Sequence, residues 1–83
     1  MNRSQFKHIK IGTKVKIRRD LIEEQTYGSN SYVDSMINQL GKWVTVTQFD
    51  FPLEACGFYT KENNLYAFTI EMVERIQSFK YGK

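Results

Sequence analysis

The side chains that most often carry out catalysis are few in this sequence. His8 is the only histidine and Cys56 the only cysteine, so no internal disulfide and no cysteine-based metal site can form. A catalytic thiolate needs an activating neighbour, and the sequence identifies none for Cys56. The sequence therefore indicates a solvated histidine in a basic segment and a small buried cysteine.

Neighbouring carboxylates occur twice and could supply an acid and a base. Glu23 and Glu24 are adjacent in a polar segment, where solvation explains them. Glu71 and Glu74 would share one face of a helical turn, which is also the usual arrangement on an exposed turn. The five glycines are isolated from one another, so the chain has no glycine-rich phosphate loop. We expect no catalytic residue, no cofactor and no metal ion.

The cations are distributed unevenly along the chain, although the net charge is only +3. Residues 1–19 hold seven of the twelve Lys and Arg residues and no acid, whereas all nine acids lie between Asp20 and Glu74. Attraction between a basic first strand and acidic later segments explains this asymmetry without a ligand. It also allows a polyanion-binding surface. The candidates for that surface are Lys14, Lys16, Arg18 and Arg19.

Aromatic side chains provide a second candidate surface. Trp43 alternates out of phase with Val44 and Val46, so it points away from the core unless a helix or loop covers it. An outward tryptophan is a frequent anchor in protein interfaces. If rings lay beside the cations, nucleotide bases could stack on them while the cations followed the phosphates. The other partner-binding candidates are Tyr27, Tyr32 and Tyr59.

The elements that would position these residues begin with two strands. Val15 and Ile17 alternate with cations over residues 13–18, which is typical of a half-buried strand. Residues 43–49 are dense in β-branched and aromatic side chains and predict a second strand. The segment between Asp20 and Ser31 is polar without a sustained period, which predicts a long surface loop.

A short helix is predicted between those strands, over Val33 to Leu40. Its apolar residues recur with the spacing of one α-helical face, and Gly41 suits the position after the helix. Either Ser31 or Asp34 is available to cap its start. The residues of the expected buried face are Val33, Met36, Ile37 and Leu40.

The second half of the chain predicts a hairpin followed by a last strand. Residues 56–61 and 65–70 flank Glu62-Asn63-Asn64, and asparagine tolerates the positive φ of tight turns. Thr69 could cap one helical turn at residues 70–73, before a short strand at residues 74–76.

Length and composition indicate one domain over residues 1–83, with a basic arm at 1–10 and a frayed tail at 77–83. Apolar residues make up 41% of the chain and aromatic residues 14%, which suffices for one core. No signal peptide and no membrane span are recognisable. We therefore expect a cytoplasmic protein with no membrane partner.

Several short strands, a long loop after the first, a hairpin and a helical turn before the last strand describe a mainly β SH3-like barrel of about five strands. A more specific pattern is formed by Gly12-Thr13-Lys14-Val15-Lys16-Ile17-Arg18, Asp20-Leu21, Tyr27-Gly28, Met36, Gly41-Lys42-Trp43-Val44-Thr45-Val46 and Tyr66-Ala67-Phe68-Thr69-Ile70-Glu71-Met72-Val73-Glu74. These residues resemble small uncharacterised SH3-like proteins of phages and prophages in Gram-positive bacteria. The tryptophan-rich signature of the SH3-like repeats in mind-bomb-type ubiquitin ligases and the tyrosine-rich groove of proline-binding SH3 domains are both missing.

The resemblance implies a fold and a phage-like origin, and it transfers no functional residue because fold does not imply function. We expect a non-enzymatic interaction module, an accessory protein by which a phage binds or inhibits a host protein. The alternative is a small nucleic-acid-binding barrel that uses the first-strand cations. A homodimer through an exposed barrel edge and a structural role in a larger particle also stay open.

Overall fold

The chain folds into short antiparallel strands connected by loops and 3₁₀ turns. This arrangement comes from a computed structural model that describes residues 1–77, so the predicted tail lies outside it except for Gln77. Five strands form one sheet in the order β6-β5-β4-β1-β7, and two form a separate ribbon. The protein is therefore mainly β, as predicted. The strands are β1 Lys14–Ile17, β2 Thr26–Tyr27, β3 Asn30–Ser31, β4 Trp43–Phe49, β5 Gly57–Thr60, β6 Phe68–Thr69 and β7 Val73–Ile76.

The order of elements is the one predicted for an SH3-like barrel. The long connection after β1 carries the β2–β3 ribbon, and a 3₁₀ turn at Ile70–Met72 leads directly into β7. The sheet has two edges, β6 and β7. The ribbon covers β6, because the Asn30 side chain donates to the Ala67 carbonyl and the Thr69 hydroxyl donates to the Tyr27 carbonyl. The edge on which a second copy would pair is consequently β7.

The core lies against the inner face of this sheet and follows the predicted alternation. Val15 and Ile17 of β1 and Val44 and Val46 of β4 point inward, while their neighbours along each strand are partly or fully exposed. Phe58 and Phe68 sit on adjacent strands with ring centroids 6.1 Å apart. The largest apolar side chains that are fully buried are Phe58, Phe68, Ile17, Met36, Ile70, Met72, Val15, Val44, Val46 and Val73.

The predicted α-helix is a 3₁₀ helix at Asp34–Gln39. With about three residues per turn, a 3₁₀ helix aligns residues i and i+3, so Met36 and Gln39 are buried and Ile37 is 55% exposed. The expected burial of Ile37 is wrong for this reason. No side chain caps the start of the helix, whereas Gly41 has the left-handed conformation expected after its end, with φ of 72°.

The predicted hairpin between β5 and β6 is present, but its connection spans residues 61–67. The expected positive φ at Asn63 and Asn64 is wrong, because neither residue is left-handed. Asn63 is instead buried and holds the connection through its amide. Its Nδ2 donates to the carbonyl oxygen of Ser35 at 3.1 Å and to Oε1 of Gln39 at 3.3 Å. Its Oδ1 accepts from the backbone of the two residues after Asn64.

The basic arm at residues 1–10 packs against the barrel through a 3₁₀ helix at Arg3–His8. The Phe6 ring meets the edge of the Phe49 ring at 5.5 Å between centroids, and Ile9 is buried. The Met1 ammonium donates to the Val73 carbonyl at 2.8 Å. None of the helical turns in residues 1–77 has the length and apolarity needed to cross a membrane.

Glu24 is one of two non-glycine residues with a positive φ in the described chain, at 69°. An L side chain in this conformation costs about 1 kcal/mol or more, and glycine avoids that cost. We expect Glu24→Gly to raise the free energy of unfolding, measured with urea, by about 0.5–1 kcal/mol. Glu23→Gly is the control, because Glu23 does not have a positive φ and glycine there should destabilise. An equal loss in both variants would contradict the prediction.

Tyr32 should make the fold sensitive to alkaline pH. Its ring is 5% exposed, and burial raises the pKa of its hydroxyl, with Asp34 and Glu23 adding to the effect. The folded state thus holds this proton more tightly, so stability is lost as pH rises above the ordinary tyrosine pKa of about 10. Urea unfolding across that pH range should show a smaller loss in Tyr32→Phe than in the unmodified chain. Tyr66→Phe, at an exposed ring, should retain the original loss, and identical slopes in all three would refute the assignment.

Candidate interaction surface

The strand register places three candidate side chains in one row across the sheet. Lys16 of β1 lies opposite Trp43 of β4 on one side and opposite Arg75 of β7 on the other. Residues directly opposite each other in antiparallel strands point to the same face. Because Val15 and Ile17 point into the core, this row lies on the outer face. We call Arg75, Lys16 and Trp43 the Trp43 row.

Trp43 lies at the surface, with 44% of its area exposed. Trp43 is therefore not a core residue, although the sequence alone allowed a helix or loop to bury it. Arg75 is exposed as well, and the Lys16 side chain retains 26% exposure. With neighbouring strands about 4.8 Å apart, the row extends about 10 Å across the sheet. The indole ring of Trp43 is therefore exposed on a hydrogen-bonded strand, with one cation on the neighbouring strand β1 and a second on β7.

Cations outnumber acids around the Trp43 row. Lys14, exposed on β1, lies opposite Thr45 of β4. The backbone N–H of Lys61 donates to the Thr45 carbonyl at 2.9 Å, which brings a further exposed lysine to the same strand. Lys42 directly precedes the tryptophan and is exposed. We call the row together with Lys14 and Thr45 the outer face.

Two acids lie at the outer face, and each has an identified contact. Glu74 approaches Lys16 with 3.9 Å between carboxylate and ammonium, and both side chains are partly exposed. Glu62 accepts a hydrogen bond from the Thr45 backbone N–H at 2.9 Å. Within residues 1–77, Lys14 and Arg75 form no ion pair. An exposed pair at the limit of contact distance is weak, so the face keeps a cationic surplus.

Arg18 does not belong to this surface, contrary to the sequence prediction. Its guanidinium donates twice to the Asp20 carboxylate at 2.9 Å and once to the Glu71 carbonyl at 3.2 Å, and it stands 5.5 Å from the centre of the Tyr27 ring. The hydrogen bond from Arg18 lowers the pKa of Asp20 and correspondingly raises the pKa of Arg18. This arginine connects the long loop to the turn before β7, and three of its five N–H donors are already used.

Arg19 is exposed and follows the end of β1 rather than standing on a strand of the row. Its guanidinium lies over Gly41 at the end of the 3₁₀ helix. Arg19 also lines an open pocket of about 450 Å³ with Met1, Asp20 and Val73. The four predicted polyanion-binding residues are thus divided, because only Lys14 and Lys16 lie on the outer face.

The prediction that Tyr27 and Tyr32 form a contact surface is wrong, since they are only 7% and 5% exposed. The segment predicted as an open loop folds as the β2–β3 ribbon and packs these rings onto the core. The Tyr27 hydroxyl accepts a hydrogen bond from the Ile22 backbone N–H at 2.8 Å. Tyr59 on β5 is half-buried and lines a separate pocket of about 440 Å³ with Leu65. Tyr59 therefore remains available for contact with a partner, at a pocket that Trp43 does not line.

The residues considered for catalysis lie on several different elements. His8 is exposed at the end of the N-terminal 3₁₀ helix, and Cys56 is buried with its thiol near the Glu54 carbonyl. The expectation that Glu71 and Glu74 share a face is wrong, because Glu71 packs over the backbone of the ribbon turn while Glu74 approaches Lys16. Within residues 1–77, no group of three or more His, Cys, Asp or Glu side chains could hold a metal ion.

Sequence reasoning missed Arg75 and the proximity of Lys16 to Trp43. Arg75 stands near the end of the chain and belongs to no motif, and only its pairing with β1 reveals its position. The sequence left open whether the tryptophan lies beside the cations, and the register places Lys16 directly opposite it. Comparisons with protein-family models, with curated proteins and with solved structures found no match to this chain.

Proposed function

We propose that this protein is a non-enzymatic interaction module that binds a partner protein through its outer face. The observation that carries the proposal is the position of Trp43, exposed on a strand and directly opposite Lys16. Tryptophan and arginine are the residue types that most often dominate the energy of protein interfaces. The Trp43 row contains one of each.

The rigidity of the surface supports the same function. Trp43, Lys16 and Arg75 stand on three strands hydrogen-bonded side by side in one sheet. Their backbones are therefore already ordered before a partner arrives, which reduces the entropy lost on association. A partner that covers the exposed indole would also gain the free energy of burying apolar area.

The resemblance to small proteins of phages and prophages supplies a biological setting for the proposal. In that setting the chain is an accessory protein that acts in the cytoplasm of a bacterial host. Its partner is a host protein, and binding of this chain modifies or inhibits the activity of that protein without any catalysed reaction.

A nucleic-acid-binding barrel is the second candidate function, and one observation favours it. Lys14, Lys16 and Arg75 stand on the two strands to one side of an exposed ring, on which a base could stack while the cations contact phosphates. Binding of this kind would weaken steeply with salt, because each phosphate contact releases a condensed counterion.

The two candidates are separated by a pull-down with the tagged protein from a lysate of Gram-positive bacteria, with and without nuclease. A protein retained in stoichiometric amount after nuclease treatment supports the interaction module and identifies its partner. Nucleic acid retained alone and released by salt supports the second candidate. A turnover activity of the purified chain that disappears on a point substitution would refute both.

A further inference from the structure

We infer that the partner segment on the outer face is an extended stretch of a protein rich in Asp and Glu. This inference rests on the proposed function of the same face, and it adds the chemistry of the partner. Its basis is the set of cations that the fold leaves without carboxylates beside an exposed indole.

The first argument is the charge left uncompensated on the face. Lys14 and Arg75 form no ion pair within residues 1–77, and the contact of Lys16 with Glu74 is long and exposed. A neutral partner covering these groups would remove water from them and supply nothing in return, which is unfavourable. Carboxylates of a partner would compensate the lost hydration and set the register of the complex.

The second argument is geometric. An extended segment advances about 3.3 Å per residue, so its inward side chains at i, i+2 and i+4 span about 13 Å, close to the roughly 10 Å of the Trp43 row. Alternate side chains of that segment point toward the sheet, where carboxylates would reach Arg75 and Lys16. Arginine can bind a carboxylate with two parallel hydrogen bonds. The next inward side chain would then cover Trp43, and an apolar or aromatic residue suits that position.

The third argument favours a protein segment over a nucleic acid. Stacking of successive bases needs several exposed rings along the cationic path, and the fold buries Tyr27 and Tyr32. Glu62 and Glu74 also lie at the face, where they would repel a continuous phosphate backbone. A protein segment can place an uncharged or basic side chain opposite each of them.

The test uses the emission of Trp43, the only tryptophan in the chain. The full-length protein is titrated with a Glu-rich peptide of roughly ten residues containing one Phe, long enough to cross the row. The probes for comparison are the same peptide with Gln in place of Glu and an oligothymidylate of similar length. We expect the Glu peptide to change the emission, with an affinity that falls as salt rises. We expect the Gln peptide and the oligothymidylate to cause no comparable change.

Substitutions assign the effect to the face. Lys16→Gln and Arg75→Gln should each weaken binding of the Glu peptide by roughly fivefold to tenfold. Lys7→Gln, an exposed cation on the N-terminal 3₁₀ helix, should leave that affinity unchanged. Unaltered urea unfolding of each variant shows that the fold is retained.

Each alternative result has a distinct meaning. A response to the oligothymidylate without one to the Glu peptide overturns the inference in favour of the nucleic-acid candidate. A partner protein whose retention requires Trp43 but is identical in Lys16→Gln and Arg75→Gln also overturns the inference, while the proposed function survives. Retention that is insensitive to Trp43 as well refutes this face as the site of the proposed function.

Discussion

Replacement of Asn63 by alanine should lower the free energy of unfolding by about 3 kcal/mol, a large share of the stability of a domain this small. The amide of Asn63 makes four hydrogen bonds, two as a donor and two as an acceptor. The two donor bonds join the connection between β5 and β6 to the 3₁₀ helix at Asp34–Gln39, and the two acceptor bonds lie within the connection itself. Asn63→Ala leaves those partners unsatisfied in a site where the residue is only 8% exposed, and each such loss costs about 1 kcal/mol or more.

The control is the neighbouring residue of the same type. Asn64 is exposed, so Asn64→Ala should change stability by less than about 0.5 kcal/mol. Asn63→Asp retains the acceptor toward the backbone but places a carboxylate oxygen against the carbonyl of Ser35 and Oε1 of Gln39. It should therefore also destabilise strongly. Urea unfolding followed by circular dichroism measures all three, and equal effects at the two asparagines would show that the amide network does not stabilise the fold.

Replacement of Trp43 by alanine should weaken binding of the partner protein by about thirtyfold or more, since central tryptophans commonly contribute about 2 kcal/mol or more to an interface. The variant should remain folded, because Val44 and Val46 are the residues of β4 that are buried in the core. The dissociation constant is measured by calorimetry with the partner recovered in the pull-down.

The matched control for this substitution is Tyr66→Ala. Tyr66 is 48% exposed, close to the 44% of Trp43, but it lies on the connection between β5 and β6 and lines a pocket with Val33 and Met36. Truncation there should leave partner affinity unchanged. If both substitutions weaken binding equally, the contact is a general apolar one. If only Tyr66→Ala weakens it, the interface lies at the connection between β5 and β6.

The strands most accurately predicted are those whose local pattern agrees with their environment. Trp43–Phe49 matches the predicted second strand at both ends, and β1 at Lys14–Ile17 lies within its predicted segment. In both, a period of two separates buried valine and isoleucine from outward polar residues. A half-buried strand has alternating apolar and polar residues in its sequence. These two strands could therefore be predicted without knowledge of the tertiary structure.

The segments that were mispredicted take their structure from contacts distant in sequence. The apolar pattern of Val33 to Leu40 suits an α-helix, yet the tighter 3₁₀ helix exposes Ile37 and lets Gln39 meet the amide of Asn63. Tyr27 and Tyr32 stand in a polar segment without periodicity and become buried because the ribbon covers the edge of β6. The burial of these two tyrosines depends on an edge of the sheet that residues distant in the sequence form, so no local pattern predicts it.

The sequence by itself determined the class of fold, the outward position of Lys14 and Lys16, and Trp43 as the aromatic side chain to examine. It did not contain the pairing of β1 with both β4 and β7, which joins residues far apart along the chain. That pairing aligns Arg75, Lys16 and Trp43. Arg18 instead donates a hydrogen bond to the Glu71 carbonyl in the turn before β7, so its guanidinium does not join the row. Local alternation decides which face a side chain takes, but only the register between strands decides which side chains become neighbours.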